Sequence, residues 1–209
     1  MAQRETTLAV QQNTSSQPTT IVSLLDYVVS SAQTELLNYK KDGVWQSLSA
    51  QEIAAQARAT AIGLYSLGVR PGDHIGLLSE NRIEWVIADL GVLNCACADV
   101  PIYATQAEKQ VGYILQDASV EVLFISNQKQ YDRVRDALNT CPKLRVIISF
   151  DPVNAPSGKV MNFEELINWG IAANDTDPQA FDRMRATVTP ETLATLIYTS
   201  GTTGDPKGV

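Results

Sequence analysis

The run Gly72-Asp73-His74-Ile75-Gly76-Leu77-Leu78-Ser79-Glu80-Asn81-Arg82-Ile83-Glu84-Trp85 contains the pattern that decides the fold. Its apolar stretch, Ile75 to Leu78, has the length of a strand, and Asn81 is placed to cap a helix whose apolar residues follow at helical spacing. A continuously apolar strand is typical of a parallel sheet that is covered on both faces. The run therefore predicts the first half of a strand-helix-strand unit.

The same alternation continues along the chain in both directions. Upstream, the capping box Ser49-x-x-Glu52 opens a helix that Gly68 ends. Downstream, the box Thr105-x-x-Glu108 and the cap Asn127 each open a helix between strands. The predicted strands are Ala98 to Ile102, Val120 to Ile125 and Leu144 to Phe150. Capped helices alternating with apolar strands predict an α/β fold, a parallel sheet with helices on both faces.

The flanking segments are less regular. Residues 1–20 are rich in Gln, Thr and Ser, so we expect them to be disordered or loosely attached, and we place the domain at residues 21–209. A short amphipathic helix is predicted from Ile21 to about Gln33, followed by a hairpin that turns at Lys40 to Gly43. Beyond Asp151 the sequence predicts a short helix capped by Asn162 and a polar linker at Asn174 to Pro178.

Composition excludes several classes of function. The chain of 209 residues is 44% hydrophobic, enough for one domain or a large part of one. Its net charge of −7, without a basic run, argues against a nucleic-acid partner. No apolar stretch reaches the roughly 18 residues of a membrane-spanning helix, and the first residues lack the order of a signal peptide. We therefore expect a cytoplasmic protein with at most peripheral membrane association.

Cysteine and histidine usage predicts no metal or nucleophile site. Cys95, Cys97 and Cys141 resemble buried apolar residues of a reducing compartment. A lone C-x-C and the single histidine, His74, supply too few ligands for zinc. A Ser-His-Asp hydrolase is also disfavoured, because no G-x-S-x-G elbow occurs.

A polar cluster and the tryptophans permit both structural and functional interpretations. The cluster consists of Glu80, Asn81, Arg82 and Glu84, and it has the residue types of a catalytic carboxylate site. We favour helix capping by Asn81 and a favourable dipole position for Glu84. The tryptophans, Trp45, Trp85 and Trp169, are predicted to be packing anchors.

The segment Tyr198-Thr199-Ser200-Gly201-Thr202-Thr203-Gly204-Asp205-Pro206-Lys207-Gly208-Val209 has the composition of a phosphate-binding loop. Its glycines let backbone N–H groups converge on an anion, its hydroxyls can donate to phosphate oxygens, and its lysine adds a point charge. It is neither a Walker A loop nor a G-x-G-x-x-G loop. The residues predicted to contact phosphate are Thr199, Ser200, Gly201, Thr202, Thr203, Gly204 and Lys207.

This segment closely resembles the phosphate-loop signature of the adenylate-forming superfamily, which includes acyl-CoA synthetases, luciferases and peptide-synthetase adenylation domains. The run from Gly72 to Trp85 and the segments Val100 to Thr105 and Gln110 to Leu115 are similar to the N-terminal region of bacterial long-chain acyl-CoA synthetases. The resemblance extends from about Ile21 to Val209. It implies the N-terminal part of the large domain of an adenylate-forming enzyme.

The resemblance also implies a reaction. A fatty acid would be activated with ATP and Mg²⁺ as an acyl-adenylate and transferred to coenzyme A, or to acyl-carrier protein. The loop residues would contact the β- and γ-phosphates, with one threonine hydroxyl near the metal, and no catalytic residue is assigned within this stretch. The small C-terminal domain and its catalytic lysine would lie past Val209, so we expect the chain alone to be inactive. The alternative is a non-catalytic nucleotide-binding or interaction module; the oligomeric state stays open.

Overall fold

A five-stranded parallel sheet organises the computed structural model, which describes residues 17–156, 158–199 and 206–209. The strand order is β4-β3-β5-β6-β7, so the chain goes to one side of β3 and then returns to the other. The strands are β3 His74–Ser79, β4 Ala98–Tyr103, β5 Val122–Ile125, β6 Val146–Ser149 and β7 Val160–Asn162. Two antiparallel hairpins complete the strands: β1 Leu37–Lys41 with β2 Val44–Leu48, and β8 Tyr198–Thr199 with β9 Lys207–Gly208.

Helices cover both faces of the sheet, which confirms the predicted fold class. They are α1 Ile21–Ser30, α2 Ala50–Ser66, α3 Ile83–Asn94, α4 Glu108–Asp117, α5 Gln128–Asn139, α6 Phe163–Thr176 and α7 Ala180–Arg185. Helices α2, α3, α6 and α7 contribute to one core, and α4 and α5 to the other. Among the described residues, no helix is both long and apolar enough to cross a membrane.

The central strands contribute alternate side chains to these two cores. Ile75 and Leu77 of β3 face the α2 side, where they join Phe124 of β5, whereas Leu78 and Leu123 face the α4 side. Every one of these residues is fully buried. Because successive side chains of a strand point to opposite faces, a strand that is buried on both sides must be apolar at every position.

Helices α2 and α6 approach each other so closely that only glycine fits at the crossing. A Cβ added at Gly170 would lie 1.9 Å from Ala59 O and 3.0 Å from Gly63 N. A Cβ added at Gly63 would lie 2.5 Å from Leu166 O. Real carbon atoms do not approach backbone so closely, so these two glycines set the distance between the helices.

Three of the five predicted helix caps are confirmed. Ser49 and Glu52 form a reciprocal capping box, and Asn127 and Asn162 each accept a hydrogen bond from the first turn of their helix. The caps predicted at Asn81 and Thr105 are wrong. The chain stays extended through Arg82 before α3 and through Ala107 before α4, and neither of these flanking residues makes a side-chain cap.

Several boundaries also differ from the sequence-based expectation. The first hairpin turns at Asp42 and Gly43, both with positive φ, so its strands reach Lys41 and Val44. Helix α1 ends at Ser30, before Gln33, and α6 extends into the expected linker and ends at Thr176. The short strand β7 was not predicted.

The tryptophan prediction is correct for one residue of three. Trp85 is partly buried and packs against the core on the α2 side. Trp45 and Trp169 are 70% and 47% exposed, so neither is a packing anchor. The three cysteines are buried free thiols, as predicted.

Candidate functional site

The segment that leads into the predicted phosphate loop lies against the edge of the main sheet. The Asp99 N–H of β4 donates to Ala194 O (3.0 Å), and the Leu196 N–H donates to Asp99 O (2.9 Å). Asp99 and Thr195 form a parallel bridge, so residues 194–196 run in the direction of β4. This direction brings Ile197 and the residues that follow it in β8 to the carboxyl ends of β3 and β4, and open α/β sheets bind their ligands at this end of their strands.

The two arms of the loop are joined as a hairpin, β8 with β9. Thr199 pairs with Lys207 and Tyr198 with Gly208, and Ile197 and Val209 exchange two backbone hydrogen bonds of 2.9 Å. Directly opposed residues of an antiparallel pair project to the same face. Both Thr199 and Lys207 are exposed, and no described carboxylate forms an ion pair with Lys207. The hairpin thus presents a hydroxyl and an ammonium group side by side.

The remaining predicted phosphate contacts fall outside the described residues. They are Ser200, Gly201, Thr202, Thr203 and Gly204. These assignments stay predictions, and so does the role of Thr199 and Lys207, for which the structure gives position and exposure only.

Tyr198 anchors the hairpin to the α4 side of the sheet. Tyr198 is 8% exposed and belongs to the core on that side. Its hydroxyl donates to Asp117 Oδ2 at the end of α4 (2.5 Å). Burial, followed by this hydrogen bond to a carboxylate, raises the pKa of Tyr198, so the phenol stays protonated.

A cavity of about 370 Å³ opens beside the hairpin, at the carboxyl ends of β3 and β4. Its lining joins the end of β3, the end of β4 and the arm of the hairpin: Ser79, Glu80, Asn81, Trp85, Pro101, Ile102, Tyr103, Ala104, Thr105 and Ile197. The wall is mainly apolar and carries one carboxylate. This mixture is typical of sites that bind an organic ligand and orient it with few polar groups.

Glu80 is held as a carboxylate in this cavity. Burial raises the pKa of Glu80, but the nearby Ser126 hydroxyl, the Gln130 amide and the charge of Arg82 outweigh it, so the pKa lies below its ordinary value. Gln130 Nε2 donates to Glu80 Oε1 at 2.7 Å. Glu80 therefore contributes a fixed negative charge to the wall.

Arg82 and Glu84 of the polar cluster make structural contacts, although the reason differs from the predicted capping. Arg82 donates to both carboxylate oxygens of Asp151 (2.9 and 3.0 Å) and to Glu84 Oε2 (2.7 Å). The hydrogen bonds to Asp151 raise the pKa of Arg82, and Glu84 adds to the effect. Arg82 therefore ties the start of α3 to the segment after β6.

Sequence reasoning missed two neighbouring carboxyl groups, one buried on β4 and one partly buried on α3. Asp99, the second residue of β4, is 4% exposed, and burial raises its pKa. Asp89 of α3 lies close enough that burial and then the charge of Asp99 raise the pKa of Asp89 to about 7. The available signal was an aspartate inside the apolar strand Ala98–Tyr103.

The described residues contain no group of three or more His, Cys, Asp or Glu side chains that could hold a metal ion. His74 lies at the start of β3, and its Nδ1 is 2.7 Å from Ala118 O. This contact fits the structural role expected for a histidine at the end of a strand.

Comparison with known proteins gives the chain a family. Residues 28–209 match the model of the AMP-binding enzyme family. The long-chain-fatty-acid–CoA ligase FadD15 of Mycobacterium bovis is 38% identical over 167 residues, which are 80% of this chain and 26% of the ligase. The corresponding ligase ACSBG2 of Xenopus laevis is 30% identical over 92% of this chain and 26% of its own length. The chain thus spans about a quarter of the length of these relatives.

Two solved structures share the fold. The anthranilate CoA ligase AuaEII, in complex with anthranoyl-AMP, superposes with a TM-score of 0.71 at 23% identity and covers 90% of this chain and 33% of its own. The fatty acyl-adenylate ligase from L. pneumophila, in complex with acyl adenylate and pyrophosphate, gives 0.63 at 19% identity, over 92% and 30% of the two chains. With the family match to residues 28–209, these observations show that the chain belongs to the AMP-binding enzyme family.

Proposed function

We propose that this chain is the N-terminal portion of an ATP-dependent long-chain fatty acid ligase. The reaction would join the fatty acid to AMP as an acyl-adenylate and then transfer the acyl group to the thiol of coenzyme A. Family membership and the similarity to FadD15 and ACSBG2 support the reaction class. We assign residues 21–209 to the large domain; most of residues 1–20 lie outside the described residues, so their predicted loose attachment stays a prediction.

The observation that carries the proposal is the hairpin at the carboxyl end of the sheet. It holds Thr199 and Lys207 as opposed, exposed partners at the mouth of the predicted loop. A hydroxyl donor and an ammonium group in this arrangement suit the oxygens of a polyphosphate. Rigid pairing below the loop means that these donors need little reorganisation when charge develops on the leaving pyrophosphate.

ATP, Mg²⁺ and coenzyme A are the implied small molecules. Mg²⁺ is usually bound through one or two protein oxygens together with substrate phosphates, so the missing cluster of metal ligands in the described part of the chain is compatible with its use. The positive charge of Mg²⁺ would offset the negative charge of the phosphates. The chain's own residues would bind and orient the phosphates, and Tyr198 would hold the hairpin in place.

The proposal extends to partners and location. The fatty acid and coenzyme A are the expected substrates, and the net charge of −7 argues against a nucleic-acid partner. Three buried free thiols support a reducing compartment, and we propose the cytoplasm.

The test is exchange of labelled pyrophosphate into ATP by the protein at the length of its relatives. We expect exchange that depends on palmitate, followed by transfer to coenzyme A when it is added. If the protein catalyses exchange and transfers the acyl group to acyl-carrier protein but not to coenzyme A, the acceptor is acyl-carrier protein. Absence of any acid-dependent exchange would refute the ligase.

A further inference from the structure

Gln130, near the start of α5, connects two ends of the sheet that border the cavity. Its side chain is buried, with 4% of the residue exposed. Its Nε2 donates to Glu80 Oε1 after β3 (2.7 Å) and to Ala104 O after β4 (3.1 Å). One amide group therefore bridges a carboxylate and a backbone carbonyl on neighbouring strands.

Arg133 fixes the orientation of this amide. The Arg133 Nε lies 3.0 Å from Gln130 Oε1, and a guanidinium can only donate, so Oε1 must face Arg133 and the NH₂ group must face Glu80 and Ala104. Arg133 also donates to Ala104 O (2.8 Å) and to Gln106 O. None of the ion pairs among the described residues includes Arg133. Its hydrogen bonds go to Gln130 and to the loop after β4.

The segment that these bonds hold forms one wall of the cavity. Ala104 and Thr105 line it together with Glu80 and Trp85, and Ile197 from the phosphate hairpin completes the rim. No regular secondary structure spans 104–107, because β4 ends at Tyr103 and α4 begins at Glu108. One backbone hydrogen bond, from the Gln106 N–H to Tyr103 O (2.9 Å), forms a turn in this segment, and side-chain hydrogen bonds from α5 tie the segment to the rest of the fold.

We propose that Gln130 is a positioning residue for this cavity. Its amide, oriented by Arg133, locks the loop after β4 against Glu80 and so sets the distance between the wall and the phosphate hairpin. The assignment of the cavity to the ligase reaction rests on the proposed function; the lock itself does not. Buried amides that are fully hydrogen-bonded specify one arrangement of the segments they join, and a partly bonded one does not.

Gln130→Glu tests the lock, because it keeps the shape and replaces the donor by an acceptor. Near neutral pH, the new carboxylate faces Glu80 and the Ala104 carbonyl, which are both acceptors, so the wall is expected to move away. Two carboxyl groups at hydrogen-bond distance share a proton as the pH falls, and the shared proton restores a donor. The charged neighbours of the pair are Arg133 and Arg82.

Fluorine NMR of the protein labelled with fluorotryptophan reports on the wall. Of the three tryptophans, Trp85 lines the cavity, whereas Trp169 lies exposed on α6 as an internal control. We expect the Trp85 resonance of Gln130→Glu to be displaced at about pH 8 and to return towards the wild-type position by about pH 5. The wild-type resonance is expected to stay in place, because the pKa of Glu80 is already low.

The matched control is Gln128→Glu, the same change at a half-buried position of α5 outside the cavity, where the side chain bonds to Asp132 and Asn154. It should leave the Trp85 resonance unchanged. A Gln130→Glu resonance that coincides with wild type at about pH 8, or a displacement that does not reverse as the pH falls, would overturn the proposal. The assay contains no nucleotide, so its result does not depend on whether the chain binds ATP.

Should Gln130→Glu unfold, Arg133→Lys provides a second test. Lysine keeps the charge but cannot reach the carbonyls and the amide together. The Trp85 resonance should then be displaced with Trp169 unchanged, and no displacement would refute the lock.

Discussion

Replacing Asp89 by asparagine should stabilise the protein at neutral and alkaline pH. The carboxyl group of Asp89 has its pKa raised from an ordinary 3.8 to about 7 by burial and by the charge of Asp99. The folded protein therefore resists the ionisation that the unfolded chain undergoes freely. Asparagine has nearly the same shape and no charge, so it removes the cost of ionising this side chain in the folded protein.

The magnitude follows from the pKa difference. A tenfold change in an ionisation constant corresponds to about 1.4 kcal/mol, which gives about 4 kcal/mol for the whole difference. Water reaches this partly buried carboxyl group and reduces the cost, so we expect a gain of about 2 kcal/mol in the free energy of unfolding above pH 7.

Because folding raises the pKa of Asp89, the difference in stability between the variant and the wild type depends on pH. Below about pH 4, Asp89 is protonated in both folded and unfolded states, so the wild type carries no penalty. Between about pH 4 and 7 the unfolded state loses its proton first, and the stability of the wild type falls relative to the variant. Above the folded pKa the difference is constant.

Urea unfolding followed by circular dichroism, repeated from acid to alkaline pH, measures this difference. Asp175→Asn on the exposed side of α6 is the matched control and should be neutral throughout. A variant that is less stable than wild type at alkaline pH, or a difference that does not change with pH, would refute the reasoning.

Two further stability predictions rest on particular contacts. Gly170→Ala should cost more than about 3 kcal/mol or prevent folding, since its Cβ would lie 1.9 Å from Ala59 O; Gly158→Ala, which meets nothing within 4 Å, should be close to neutral in the same thermal unfolding assay. Asn127→Ala should lower the free energy of unfolding by about 1 kcal/mol, because Asn127 Oδ1 accepts from the Gln130 N–H at the start of α5 (3.1 Å). Equal losses for the two glycine variants, or an unchanged urea midpoint for Asn127→Ala, would contradict these estimates.

The sequence predicted the parallel sheet because its central strands are short, almost continuous runs of apolar residues, as a sheet that is covered on both faces requires. It predicted the helix start at Ser49 because that cap is made entirely by neighbouring residues. At Asn81 the same kind of pattern failed. Arg82 is held extended by Asp151, which follows β6 far along the chain, so a tertiary contact decides where α3 begins.

Long-range contacts also explain the other errors. The box predicted at Thr105 does not form, because Glu108 Oε1 accepts from the Asp136 and Ala137 N–H groups of α5 (3.1 Å each). Helix α6 continues past its expected end, where Asn174 Oδ1 accepts two hydrogen bonds from Arg58 of α2 (3.0 and 3.2 Å). A pattern of residues that are adjacent in the sequence contains no information about hydrogen-bond partners far along the chain.

The candidate site divides in the same way. A phosphate loop could be proposed from the sequence because its residue types are contiguous, and the structure adds the pairing of Thr199 with Lys207. The cavity beside the loop could not be predicted, because its wall combines residues of β3, β4 and the hairpin arm, which are far apart in the sequence. The hydrogen bonds of Gln130 could not be predicted for the same reason, because its two acceptors follow two different strands.

Palmitate-dependent exchange of pyrophosphate into ATP by Lys207→Gln, in the protein at the length of its relatives, tests the central claim most directly. If Lys207 helps to bind the phosphates from the mouth of the hairpin, its loss removes a preorganised donor that is worth on the order of 3 kcal/mol in the transition state. We predict exchange about a hundredfold slower than wild type, with Lys159→Gln, at an exposed lysine before β7, unchanged. Exchange at the wild-type rate in Lys207→Gln would contradict the account.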